Sequence, residues 1–416
     1  MMAAITAVRQ RSGIGISLPR ITRPSLSSAT TVFFAYIFVG LTVQVGVLTQ
    51  LGVGAPEASS WFFITWMTTG LFSLVLSLFT KQPVSINLSI AAMVFIAGSA
   101  SGFSLAQILG ANLAVGVVAV ALSLLRLNDV FGRIIPPQIA IGVFAGTVMA
   151  FMWKTSLRAF DDPIYAAPVI GGFLVTLVIT RSHLVSVIAA AVVGFVGVVI
   201  TAGMPDAGGS MALPAMALPA FDFTPSSLVA LGVPLLILTV GVGNVQALAI
   251  LRSEGFPARG TIYPLMAGAA SLVNALGGGH PAAIGGSSIA ISSGPTAGPK
   301  ESRFWAIVLS SIPTMAMALA AVPVIAVVQD LPLSYTLTVG ALALTLSFKV
   351  LVKKTVTGPM RYGAMTAFVA AALPLHFAGL PMAFWALIAG VAAAGILESG
   401  QLMRCWRPNR AVLQPA

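Results

Sequence analysis

Gln82-Pro83-Val84-Ser85-Ile86-Asn87-Leu88-Ser89 and His280-Pro281-Ala282-Ala283-Ile284-Gly285-Gly286-Ser287 hold matching places in two halves of one chain. Pro83, Ile86 and Ser89 align with Pro281, Ile284 and Ser287 without a gap. Each stretch opens on a proline, which lacks an N–H and fixes φ. Each then runs into small residues. The pattern predicts a short extended piece followed by a half-helix, near 82–99 and 280–298.

The surroundings of these stretches are apolar. Of 416 residues, 58% are hydrophobic and 7% charged, against about 25% charged in a soluble domain. A water-facing surface needs more charge than that, so the surface is expected to face lipid. Apolar runs long enough to span a bilayer, about 20 residues each, lie near 31–51, 59–80, 105–125, 136–154, 163–180, 184–203, 227–251, 261–277, 304–328, 331–351, 362–379 and 381–399. With the two interrupted segments they make about fourteen. The predicted fold class is therefore an all-α polytopic membrane protein. Seven segments per half is an odd number, so the second half must be inverted relative to the first: a 7+7 inverted repeat. Paired, Gly/Pro-interrupted segments in such repeats point to a secondary transporter and its binding site.

Charge placement tests this map. With the N-terminus inside, Arg9, Arg11, Arg20, Arg23, Lys81, Arg126, Arg133, Arg181, Arg252, Arg259, Lys300, Arg303, Lys349, Lys353, Lys354, Arg361, Arg404, Arg407 and Arg410 all fall on the cytoplasmic side. Only Lys154 and Arg158 of the 21 basic residues fall outside. Glu57, Asp161, Asp162, Asp206, Asp222 and Asp330 also fall outside. This is the positive-inside pattern, and it puts both termini in the cytoplasm of a bacterial-type inner membrane. The predicted organisation is a cytoplasmic arm (1–30), a first repeat (31–203), an external linker (204–226), a second repeat (227–400) and a cytoplasmic tail (401–416). No cleaved signal peptide is expected. The net charge of +11 is scattered singly rather than in a stripe with aromatics, so no nucleic-acid partner is expected. The single cysteine, Cys405, leaves no intrachain disulfide.

If the two half-helices begin near the midplane, their free N–H groups and positive dipole ends favour an anion. Ser85, Asn87, Ser89, Ser287 and Ser288 lie where side-chain donors supplement those groups, and Gly285 and Gly286 allow close approach. Small residues serve equally for close helix packing. Asn244 and Gln246 lie about two turns inside a span, and Val43-Gln44 matches Val245-Gln246. Such intramembrane polar groups bind substrate or bond a neighbouring helix. His280 either carries a proton near neutral pH or is a hydrogen-bonded structural residue. His183 and His376, near span ends, carry less weight. Phe33, Phe34 and Tyr36 could stack on an aromatic ligand, but helices in lipid carry such residues routinely. Arg252 and Glu254 are expected to form a solvated pair. No phosphate-binding loop, zinc-ligand spacing or Ser-His-Asp arrangement is present, so neither an enzyme nor a cofactor is predicted.

Thr239 through Asn244 to Ala249-Ile250-Leu251-Arg252 and Gly255-Phe256 resembles the signature span of the benzoate/proton symporter (BenE) family. Gly278-Gly279-His280, a small-residue helix and Gly294-Pro295 resemble its second motif, and Ser60-Trp61 and Pro83-Val84 match its order. That family is similar in fold to the uracil/xanthine and sulfate permeases. The resemblance implies a core domain and a gate domain, each drawn from both repeats. It implies a substrate site at Gln44, Ser85–Ser89, Asn244 and His280–Ser288. Uncharged Val242-Gly243-Asn244 stands where the uracil branch carries an acidic residue, which argues against a nucleobase. The expected function is proton-coupled uptake of a small organic anion, benzoate or a related aromatic acid first. The partners are that anion, protons and the lipid bilayer, and homodimer assembly is left open. Alternatives are a permease for another anion or a nucleobase, or a channel or non-transporting membrane protein.

Overall fold

The computed structural model describes residues 19–99, 102–128, 136–206, 212–214, 216, 219–258, 260–373, 375–378 and 380–406. Arg9, Arg11, Arg133, Arg259, Arg407 and Arg410 lie outside the described residues, as do most of the arm, parts of the 204–226 linker and the end of the tail.

Among the described residues the chain is mostly helical. In order, its elements are α1 (Arg23–Leu51), α2 (Ala55–Thr80), β1 (Ile86–Leu88), α3 (Ile90–Ser99), α4 (Leu105–Leu124), α5 (Pro137–Ala159), α6 (Pro163–Thr180) and α7 (His183–Ala202). The second half holds α8 (Pro225–Ser253), α9 (Ile262–Leu276), β2 (Ala282–Ile284), α10 (Gly286–Ser293), α11 (Phe304–Leu319), α12 (Ala321–Asp330) and α13 (Leu333–Thr357). It closes with α14 (Arg361–Ala372), the hairpin β3 (His376–Phe377) and β4 (Leu380–Pro381), α15 (Met382–Leu397) and α16 (Ser399–Trp406).

Among the described residues, eight helices are long and apolar enough to cross a bilayer, or ten if two sharply bent pairs each count as one span. Several of the fourteen expected segments are therefore helices too short to cross alone, such as α9 with 15 residues and α14 with 12. The span expected at 304–328 breaks at Ala320 into α11 and α12. The outer surface suits lipid: Phe79, Val178, Ile200 and Ile396 are 85%, 78%, 78% and 80% exposed. Water would not tolerate so continuous an apolar surface.

α1 starts at Arg23, before the apolar run begins. Thr22 and Ser25 form a reciprocal capping box, and Pro24 sits in the first turn, where its missing N–H costs nothing. The indole N–H of Trp305 donates to the Pro19 carbonyl at 2.8 Å and pins this entry.

The two interrupted segments are each a three-residue strand leading into a half-helix. β1 and β2 pair antiparallel, with Ile86 opposite Ile284, Asn87 opposite Ala283 and Leu88 opposite Ala282. The first of these pairs joins the two isoleucines that the sequence stretches bring into alignment. Ser73 of α2 donates to the Ile86 carbonyl (3.1 Å) and accepts from the Ile86 N–H (2.9 Å). Ser271 of α9 does the same for Ala282, at 3.1 and 2.9 Å. Buried strand edges are thus satisfied by hydroxyls, as a low-dielectric interior requires.

Packing sorts the helices into two groups. α2 packs on α11 and α9 on α4, with α1 against α11. In the other group α5 packs on α13 and α14, α6 on α7 and α14 on α15. Glycines set the second group's spacing: a Cβ on Gly142 would fall 2.2 Å from the Ala364 carbonyl oxygen of α14. α1 meets α13, and α3 meets α5, where the groups touch.

Candidate functional site

α1 is not a regular α-helix where it passes the strands. Tyr36–Leu41 is a π-helical turn, and α8 has its own at Ile237–Asn244. Such turns widen a helix locally and are common at functional sites. Each carries a glycine at close approach. A Cβ on Gly40 would lie 3.3 Å from Leu88, and one on Gly243 would lie 3.2 Å from Ala283.

The π-turn of α1 brings Tyr36 onto β1. Its hydroxyl donates to Asn87 Oδ1 at 2.6 Å. Asn87 Nδ2 donates to Ser288 Oγ at 3.0 Å, and Ser288 Oγ donates to the Gly285 carbonyl at 3.0 Å. The Ser85 and Ser288 hydroxyls also bond each other. The chain ties α1, β1 and α10 into one buried polar unit. Ser89 caps α3, its hydroxyl accepting from the Ala92 N–H at 3.2 Å.

Gly285, the N-cap of α10, has no side chain to cap that helix, so among the described residues the first-turn N–H groups of α10 have no side-chain partner. Next to them Ser287 is exposed while Ser288 is buried. Ser287 faces a cavity of about 250 Å³. One wall is Tyr36, Gly40, Asn87 and Ser287, and the opposite wall is His183, Leu184 and Val187 of α7 with Ala343 and Ser347 of α13. Leu88, Ile90 and Ile291 make much of the remainder apolar. The cavity thus lies between the two packing groups, with donors on one side and mostly hydrocarbon around them.

Of the residues singled out from sequence, Asn87 and Ser287 line this cavity, and Ser85, Ser288 and Gly285 stand directly behind them. Gly286 is half-buried at the first position of α10. The others are not among the residues that line the cavity. Gln44 accepts from the Trp66 indole at 2.8 Å and donates to Thr65 at 3.0 Å. Asn244 accepts from the Ile284 N–H at 2.8 Å and holds β2 in place. Gln246 has a buried Nε2 with no hydrogen-bond partner among the described residues. His280 is fully buried, and its Nδ1 accepts from the Trp61 indole at 2.8 Å. An indole N–H only donates, so Nδ1 is unprotonated and the imidazole is the neutral Nε2–H form.

Sequence gave little weight to Tyr36 and His183, yet both line the cavity. Glu254 also differs from expectation: it lies 4.0 Å from Arg303, not against Arg252. Arg303 caps the far end of α10, with Nη1 on the Ser293 carbonyl (2.6 Å) and Nε on the Gly298 carbonyl (2.8 Å). A cation there complements the negative dipole end of the half-helix. Arg303→Gln is expected to lower thermal stability by about 2 kcal/mol, the typical worth of hydrogen bonds from a charged donor, with Arg303→Lys recovering part of it. A thermal-shift assay in detergent measures this, and an unshifted melting curve for the glutamine variant would refute it.

Two neutral half-helices and a cavity between packed helix groups form a recognisable layout. The family model for the benzoate membrane transport protein, BenE, matches residues 25–396. The chain belongs to the BenE family. Among curated BenE-like relatives, the inner membrane protein YdcO of Escherichia coli (strain K12) is 26% identical over 376 residues, covering 86% of this chain and 92% of that protein. The fold is shared with solved structures. The transmembrane domain of a cyanobacterium bicarbonate transporter, BicA, has a TM-score of 0.55 at 14% identity, covering 93% of this chain and 97% of that one. The murine Solute Carrier 26 family member A9 (Slc26a9) anion transporter, in the inward-facing state, has a TM-score of 0.51 at 10% identity, covering 95% and 75%. The BenE chain described here is thus a multi-pass membrane protein of a transporter family.

Proposed function

We propose that this protein is a secondary carrier that takes up a small organic anion, benzoate or a related aromatic carboxylate, in step with protons. The observation that carries the proposal is the cavity between the helix groups. It has hydroxyl and amide donors and an uncapped helix N-terminus at one end, and apolar side chains over the rest. A carboxylate on an apolar body matches that division, because a few placed polar groups orient a ligand that apolar walls bury. An inorganic anion would leave Leu88, Ile90, Leu184 and Val187 without a partner. A nucleobase would need more paired donors and acceptors than this wall offers. Membership of a benzoate transport family and the bicarbonate and anion transporters among its fold relatives support the same class.

The carrier cycle would be alternating access. The group holding β1, β2 and the half-helices forms the core, and the α5–α7 and α13–α15 group forms the gate. A seven-plus-seven inverted repeat is supported by the Ile86–Ile284 pairing, by Ser73 and Ser271 clasping the strands in the same way, and by the exchanged packing pairs α2–α11 and α9–α4. In the bilayer both termini would face the cytoplasm, as the positive-inside pattern requires.

Uptake of radiolabelled benzoate into proteoliposomes, with and without an inward proton gradient, tests the function. Saturable uptake that a protonophore collapses is expected. Ser287→Ala should raise KM about fivefold, the worth of one hydrogen bond of about 1 kcal/mol. A non-saturable current would favour a channel instead. Absence of both benzoate uptake and benzoate binding by monodisperse protein would refute the substrate.

A further inference from the structure

The donors on the core wall are all neutral, so a bound carboxylate would keep its full charge at membrane depth. Moving an isolated charge through low dielectric is costly, whereas moving it with a close partner of opposite sign is much less so. The opposite wall holds one histidine. His183, the first residue of α7, lines the same cavity as Asn87 and Ser287.

Its orientation follows from its neighbours. The Thr345 hydroxyl of α13 lies 2.5 Å from His183 Nε2 and 2.7 Å from the Leu342 carbonyl. With Nε2 bonded to Thr345, Nδ1 is the ring nitrogen left to meet a ligand. The ring is held edge-on against Phe173 of α6, with centroids 5.5 Å apart. Bonded at one nitrogen and packed on one edge, the imidazole has a set orientation. His280 differs, since its Nδ1 is already committed to Trp61 and it is not among the cavity-lining residues.

Resting on the carrier reading above, we infer that His183 is the gate-side ligand for the anion and the residue that links proton to anion movement. A proton from solvent adds to the imidazole and the imidazolium pairs with the carboxylate; when the gate reopens on the other side the ring gives up that proton, and proton and anion leave together. No bond other than N–H is made or broken. The pair is neutral overall, and its attraction across the cavity draws gate onto loaded core. An empty core offers His183⁺ nothing, which ties closure to occupancy.

The groups facing His183 are few. From α1, Tyr36 faces it across the cavity. At the end of α6 stands Arg181, and one turn beyond Thr345 on α13 stands Lys349, both exposed. Farther along α7, about midway, the Tyr335 hydroxyl of α13 donates to the Ala191 carbonyl. Among the described residues no carboxylate lines this cavity. The favoured counter-charge for His183⁺ is thus the substrate itself, and by reciprocity the anion favours protonation as much as protonation favours the anion.

The test measures benzoate KM against pH in proteoliposomes, from about pH 6 to 8, where His titrates and benzoate stays ionised. Wild-type KM should climb about tenfold over that range. His183→Gln should show the high value throughout, with no slope, while His280→Gln keeps the wild-type slope. Only three histidines are present, so imidazole NMR on the intact wild-type protein in nanodiscs gives a second readout independent of the variants. The His183 signal should titrate, and its midpoint should rise on adding benzoate. A wild-type pH slope in His183→Gln would overturn the inference. So would a His183 midpoint unmoved by benzoate in protein that calorimetry shows to bind it. Wild-type protein that neither binds nor accumulates benzoate would instead overturn the substrate reading, and the inference with it.

Discussion

Gly285→Ala is expected to cut benzoate uptake at low substrate by about 10- to 100-fold while leaving the protein folded. The backbone is not the obstacle, because Gly285 has φ −78°, which alanine adopts freely. The obstacle is space. A Cβ would fall 2.4 Å from Asn87 Cγ, from Asn87 Nδ2 and from Ser85 Oγ. All three belong to the polar unit that joins α1, β1 and α10, so relieving the clash means expelling Asn87 or Ser85 from it. Tyr36 then loses the acceptor for its hydroxyl. Overpacking costs about 1–3 kcal/mol, and each factor of ten in affinity is about 1.4 kcal/mol. Uptake in proteoliposomes, normalised to monodisperse protein, measures the loss. A mutant cycle gives it a cause: with Asn87→Ala and Ser85→Ala together the added methyl has room, so Gly285→Ala should cost little more stability in that background. Wild-type uptake by Gly285→Ala would mean that this unit does not shape the site.

Gly142→Ala adds the same methyl with a different outcome, a fold that assembles poorly. Here the new atom would lie 2.2 Å from the Ala364 carbonyl oxygen, 2.9 Å from its carbon and 3.1 Å from its Cα. These are backbone atoms of α14, which no rotamer change can move aside. α14 would have to move away from α5, and it is held from behind by close approach of Gly363 to Gly390 on α15. The cost is expected at about 3 kcal/mol, the upper end for overpacking. It should appear as a lower melting temperature and less monodisperse protein after extraction. Gly171→Ala on α6 is the control: nothing lies within 4 Å of its Cβ position. Better helix propensity should leave that variant neutral or slightly more stable. Equal melting temperatures for the Gly142 and Gly171 variants would contradict the packing described.

The two interrupted segments were legible because their signal is local. Proline sets φ and removes a donor where it stands, and Ser, Gly and Ala follow within a few residues. Strand followed by half-helix is the result at both places. That Asn87 and Ser287 line the cavity was legible for the same reason, since they sit inside that signal. Helix ends were less so. α1 begins at Arg23 because hydroxyls of Thr22 and Ser25 cap it, and hydropathy does not register a cap. The break at Ala320 falls between two apolar helices, where composition does not change.

Tyr36 and His183 were not legible as residues that line the cavity, whereas Gln44, expected beside them, is not among the lining residues. In a soluble helix, polar residues mark one face and the pattern tells which way a side chain points. These helices are apolar on nearly every face, so their rotation leaves no trace in the order of residues. Gln44 bonds Trp66 and Thr65 on α2, whereas Tyr36, two turns earlier on α1, reaches the cavity through a π-turn. By itself the amino-acid order determined a polytopic membrane protein with two broken segments, because lipid demands long apolar runs and proline interrupts them locally. Only the tertiary structure decided which polar groups share the cavity. That depends on helix rotation and on contacts between residues as distant as Tyr36, Asn87, His183 and Ser287, which no single stretch of chain encodes.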